Sequence, residues 1–202
     1  MMNEMFEKQL LQAVEPYLQS GRKGDREHTL RAVDYGKYLL EREPGDPAIV
    51  LPCLYLHDVG WSRVDYQDFV NAAPTQKKDS VSLRQHMQEG AQLAAGILEK
   101  LAYDSTRRDR IVAIIAVHDE PEAVIALQDL NATLVLEADR LDRYGPESIR
   151  RYQTMFGEAY FAAAAWQEAK AVRLEGLDAW FRTETAKALS RKLAHEMGLF
   201  EA

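Results

Sequence analysis

The stretch "LYLHDVGW", residues 54–61, runs three apolar or aromatic residues straight into His57 and Asp58, with a glycine two residues after the acid. A segment this apolar belongs in the interior, where a charge is costly unless a partner or a metal compensates it. What the rest of the chain can bring to that pair decides both the fold and the chemistry.

The segment around it, "AIVLPCLYLHDVG", predicts a helix that begins near Pro47, bends at Pro52 and ends at Gly60, glycine being the usual residue just past a helix. Its β-branched start leaves a strand open. The surroundings are helical. Met5, Leu10, Leu11, Val14 and Leu18 repeat at helical spacing over 3–18, and after the polar "SGRKG" loop Asp25 is placed to cap a helix through Glu41. Beyond the polar excursion of 61–80, Ser82 and Gln85 form a capping-box pattern that opens a helix to Leu101. "DSTRRDRIVAIIAVHDEP" predicts a helix closed by Pro121, and "NATLVLEADRLDRYG" one capped by Asn131 and stopped at Gly145. Two longer helices, 146–174 and 176–198, split at Gly176. The expected fold class is all-α, a single domain over 1–202, with the C-terminal helices 146–198 packed on a core motif region of about 25–150.

Composition sets further bounds. With 47% hydrophobic and 28% charged residues the chain has the make-up of a soluble globular domain. A net charge of −7 argues against coating nucleic acid, though a few local cations suffice for a small phosphorylated ligand. The amphipathic, acid-bearing start is unlike a signal peptide, and no apolar run approaches the roughly 20 residues that span a bilayer. Cys53 is the only cysteine, which excludes an intrachain disulfide and a thiolate metal cluster. The expected location is the cytoplasm, with no membrane partner. A homodimer is left open.

Three apolar runs end in chemistry. Besides the opening stretch, "IVAIIAVHDE" runs into His118 and Asp119, and "TLVLEADRLD" into Glu137 and Asp139. His28 and His86 lie near expected helix starts, so four of the five histidines sit on apolar helices. Imidazole and carboxylate together suit Zn, Fe, Mn, Co or Ni, and the want of sulfur disfavours a structural zinc site. A helix C-terminus carries partial negative charge and unpaired carbonyls, which favours a cation near His57, Asp58 and His118. Taken jointly with Asp139, the pattern points to a metal centre.

The texts "EHTLRAV" (27–33), "LYLHDVG" (54–60), "QHMQEGA" (85–91), "AVHDEP" (116–121) and "LEADRLDRYG" (136–145) resemble the HD superfamily of metal-dependent phosphohydrolases. The resemblance implies a helical bundle with His28, His57, Asp58 and Asp139 as the core ligand set. It also implies His86 and His118 as ligands of a second ion, with Asp58 bridging. One or two divalent transition-metal ions are expected, and Asp58 with His57 as the catalytic pair. The implied reaction is hydrolysis of a phosphoester or phosphoanhydride, in a nucleotide. Phosphate needs cationic partners, and Arg31, Lys77, Lys78 and Arg140 are the candidates. Glu89, Glu137 and Asp142 are candidates for orienting ligand imidazoles. The same ligand order also resembles the mixed-valent di-iron oxygenases of the superfamily, and a non-catalytic metal-binding signalling module is the remaining alternative.

Overall fold

The helix α3 (Pro47–Leu56) is buried from Val50 onward, and the computed structural model, which describes residues 3–200, packs the chain around it. Asp46 caps α3 by accepting the Ala48 N–H at 2.8 Å, and Pro47 fills a first-turn position where a missing N–H costs nothing. A helix apolar on every side must be enclosed. Around it stand α1 (Glu4–Ser20), α2 (Asp25–Leu40), α6 (Ser105–Ile115) and α8 (Leu130–Leu141). Leu10, Leu39, Leu54, Leu98, Ile115 and Leu134 belong to one fully buried core, each side chain stabilising the fold by about 1.5–3 kcal/mol. The chain is all-α: among the described residues every regular element is a helix or a 3-10 turn. None of these helices is long and apolar enough to cross a membrane.

Pro52 lies inside α3 without ending it. The N–H it lacks would have bonded the Ala48 carbonyl, and the hydroxyl of Tyr103 donates to that carbonyl instead. The helix stops at Leu56, four residues before the expected Gly60. Gly60 belongs to a 3-10 turn, Val59–Arg63, pressed against α5 (Val81–Lys100). A Cβ there would stand 2.0 Å from the His86 carbonyl oxygen and 2.5 Å from the Gly90 nitrogen. Gly60 thus seats the His57–Asp58 corner on the helix that carries His86.

Other helix ends differ from the sequence expectation for local reasons. Asp25 opens α2 rather than capping it; Gly24 takes the cap, and the Asp25 carboxylate turns back to accept the Arg22 N–H at 2.8 Å. Ser80, not Ser82, caps α5, while the Ser82 N–H is taken by Asp68 of α4 (Gln67–Asn71). Asp129 caps α8, freeing the Asn131 amide oxygen to accept the Asp46 N–H. Pro121 begins α7 (Pro121–Ala126) instead of closing α6. The C-terminal region is three helices, α9 (Glu147–Phe156), α10 (Ala163–Ala179) and α11 (Glu184–Glu196). Gly176 falls inside α10, where the Trp180 ring occupies the space of a side chain, 2.4 Å from a built Cβ.

Candidate metal centre

His57 directly follows α3, and His118 stands three residues beyond the end of α6. Each ring donates its Nδ1–H to the carbonyl three residues back, Leu54 and Ile115 respectively, at 2.8 Å. Those carbonyls belong to helix ends, where intrahelical partners run out. One backbone feature therefore fixes both rings with the Nε2 lone pair turned inward. His28, in the first turn of α2, is oriented by Asp142, whose Oδ2 lies 2.7 Å from its Nδ1.

Four ligand-type atoms from three parts of the chain converge. His28 Nε2 is 3.1 Å from His57 Nε2, 3.0 Å from Asp139 Oδ1 and 3.4 Å from Asp58 Oδ2. His57 Nε2 is 3.3 Å from Asp58 Oδ2 and 3.7 Å from Asp139 Oδ1. Ligands about 2.0–2.2 Å from a divalent ion stand about 2.8–3.6 Å from one another in tetrahedral or octahedral geometry. The set fits such an ion. With both Nδ1 atoms committed as donors, two lone pairs at this separation need a cation, or a proton, between them.

A second group lies beside the first. His86 Nε2 is 3.4 Å from His118 Nε2, and the two are 3.8 and 4.0 Å from Asp58 Oδ1. Asp119 Oδ2 is 3.5 Å from His86 Nε2 and 3.9 Å from His118 Nε2. Asp58 thus turns Oδ2 to the first group and Oδ1 to the second. His28, His57 and Asp58 form one set able to hold an ion, and Asp58, His86 and His118 another.

The surroundings fix these groups and set the charge of each. Trp61 donates its Nε1–H to Asp58 Oδ1 at 3.0 Å, and its ring stacks on His86 at 4.0 Å between centroids. The Arg22 guanidinium lies 4.0 Å from the Trp61 ring centroid and 2.6 Å from Asp58 Oδ2. Arg151 donates to Asp25 Oδ1 at 3.0 Å and stands 3.7 Å from Asp58 Oδ2. Burial alone would raise the Asp58 carboxyl, but Arg22, His57 and His28 together hold it well below the carboxylate range. Asp139 is depressed in the same way, burial being outweighed by His28 and His57. Burial lowers His57, yet Asp58 and Asp139 raise it to about 9. His86 is pushed down to about 3 by burial and by His118, which leaves its ring neutral.

A cavity of about 970 Å³ opens onto His28, Asp58, Asp119 and Asp139. Lys77, Lys78 and Arg140 line it. Arg140 is buried, its Nη2 donating to the Asp119 carbonyl at 2.9 Å and lying 2.6 Å from Asp119 Oδ1. Its Nε and Nη1 make no hydrogen bond. Lys77 donates to the Phe69 carbonyl at 2.7 Å and lies 4.0 Å from the Phe156 centroid, and burial lowers its pKa to about 8. Arg31 is placed otherwise than expected. It is not in the cavity wall, and grips Asp142 at 2.5 and 3.1 Å from behind His28. One turn of helix sets Arg31 beside His28's partner, not beside the cavity.

The three candidates for orienting imidazoles part company. Asp142 does so for His28. Glu137 instead accepts the Thr183 N–H and Oγ1–H, both at 2.7 Å, at the start of α11. Glu89 pairs with Arg63 at the surface, 3.3 Å away. Trp61 and Tyr144 are buried, and Cys53 is core. Sequence reading passed over Arg22, Arg143 and Arg151, and named Asp119 without giving it a role. Arg22 lies in a glycine-flanked polar loop, which carries no periodic signal. Asp119 did carry one: "HD" occurs at 57–58 and again at 118–119.

The HD domain family model matches residues 26–144. No curated protein matches the chain. The fold is similar to that of a crystal structure of a predicted HD superfamily hydrolase from an uncultured Thermotogales bacterium, at TM-score 0.60 and 19% sequence identity, over 96% of this chain and 87% of that one.

Proposed function

This chain belongs to the HD domain family, and on that premise we propose that it is a metal-dependent hydrolase of phosphoester or phosphoanhydride bonds, acting on a small nucleotide. The observation that carries the reading is the meeting of His28, His57, Asp58 and Asp139 at ligand spacing in the wall of a cavity that also holds arginine and lysine. His28, His57, Asp58 and Asp139 would hold one ion, and Asp58, His86 and His118 a second. Divalent ions so held supply Lewis acidity toward a phosphoryl oxygen and lower the pKa of water to about 7.

The chain's own groups do the rest. Asp58 is ionised and fixed by Arg22 and Trp61, and with one oxygen toward each position it would set where an attacking water is held. His57 holds its place through Leu54. Arg140, in the cavity wall, brings a guanidinium charge to bear on a phosphoryl group. Lys77 and Lys78 add charge for further phosphate, and the rings of Phe69 and Phe156 in the wall offer faces on which a base stacks.

The test begins with elemental analysis of protein purified without added metal. A panel of nucleoside mono-, di- and triphosphates, dinucleoside polyphosphates and sugar phosphates is then assayed with Mn²⁺, Fe²⁺ and Co²⁺. Phosphate or nucleotide release, lost in His57→Ala, supports the reading. A silent panel with O₂ uptake on a polyol or phosphonate overturns it in favour of an oxygenase.

A further inference from the structure

Asp119 is a carboxylate with two separate employments. Its Oδ1 is clamped by Arg140 Nη2 at 2.6 Å, with Arg143 Nη2 at 3.5 Å. Its Oδ2 is left over and points at two imidazoles, 3.5 Å from His86 Nε2 and 3.9 Å from His118 Nε2. His118 Nδ1 already donates to Ile115, so its Nε2 presents a lone pair to the carboxylate oxygens around it. Asp58 Oδ1 faces the same lone pair at 4.0 Å. His86 Nε2 and His118 Nε2 are 3.4 Å apart, and two imidazoles with carboxylate oxygens gathered about one point are a donor set that suits a divalent transition-metal ion.

We infer that Asp119 is a ligand of the second cation position, alongside His86, His118 and the bridging Asp58. The inference rests on the metal-centre reading above and adds a residue to it. The second position then has two imidazoles and two carboxylates, one shared and one its own. The geometry also ties that position to the substrate wall. Arg140, whose Nε and Nη1 are buried and without a hydrogen-bond partner, is held by the other oxygen of the same carboxylate. Asp119 thereby fixes the distance between the second position and the Arg140 guanidinium in the cavity wall. The chain after it is stiff: Glu120 leads into Pro121 at the start of α7.

The experiment is a Mn²⁺ titration of the metal-stripped full chain, followed by equilibrium dialysis and by electron paramagnetic resonance. Wild type is expected to take two ions per chain and to show an exchange-coupled pair. Asp119→Ala is expected to keep the first ion, weaken the second at least tenfold and give an uncoupled signal, as His86→Ala does. Asp119→Asn keeps an oxygen for Arg140 and covers the case in which the alanine variant fails to fold; circular dichroism of each metal-free variant reports folding. Two coupled ions in either Asp119 variant with wild-type affinity would overturn the inference, as would a single ion in wild type. Wild type that binds no ion at all would overturn the metal-centre reading itself, a result distinct from the others.

Discussion

The Nε2 atoms of His28 and His57 face each other 3.1 Å apart, each ring fixed from behind by a hydrogen bond at Nδ1. Without an ion, a proton must occupy that gap, and the carboxylates of Asp58 and Asp139 overcome burial to raise His57 to about 9.

Metal loading therefore competes with that proton. Below pH 9 the ion must displace it, so Mn²⁺ affinity is expected to rise by about one logarithmic unit per pH unit between pH 7 and 9 and to level off above. In the metal-free protein the sign reverses. A pKa raised from 6.5 to about 9 gives stability that is fully present below 6.5 and lost as pH rises through 9. Calorimetric titrations in buffers of different ionisation enthalpy count the protons released; none released at pH 7 would contradict the account.

Arg22 balances Asp58 at 2.6 Å in a buried setting. Removing one partner of such a pair costs roughly 3–5 kcal/mol. Arg22→Gln is expected to lower metal-free stability by that order in urea denaturation. Added Mn²⁺ should recover more of the loss than it adds to wild type, because a cation takes over part of the charge on Asp58. Equal Mn²⁺ stabilisation of both proteins would count against Arg22 acting on the site.

Arg140→Lys keeps the charge and loses the planar donor edge. A charge-assisted contact of about 1.5–3 kcal/mol predicts an inhibition constant for inorganic phosphate raised about tenfold to a hundredfold. An unchanged constant would remove Arg140 from the substrate wall.

Two glycines separate contact from propensity. Gly60→Ala would force a methyl against the His86 carbonyl and the Gly90 nitrogen, at a cost of about 3 kcal/mol or more. Gly96→Ala, on the same α5 but with nothing within 4 Å, is expected to stabilise by about 0.5–1 kcal/mol. Denaturation midpoints of the two variants should therefore move in opposite directions.

The all-helical fold and the candidate His and Asp residues that cluster in it were legible because both depend on local pattern. Apolar periodicity marks α1, α2, α5 and α8, and runs that end in His or Asp mark α3, α6 and α8. What the pattern hid was long-range. The end of α3 is set by a neighbour, since Gly60 is a contact with α5 and not a stop signal. Asn131 reads as a cap, yet Asp129 takes that role when Asn131 finds Asp46. Arg22 and Arg151 sit 36 residues before and 93 residues after Asp58, and no spacing rule links them. Arg31 is one helical turn from His28, which correctly places it nearby but cannot say which wall it faces.

The most direct measurement is anomalous diffraction from crystals soaked in Mn²⁺. The account predicts a peak about 2.0–2.2 Å from His28 Nε2, His57 Nε2, Asp58 Oδ2 and Asp139 Oδ1. Well-ordered crystals with no peak among those four atoms, and the side chains satisfied by water or by one another, would contradict it.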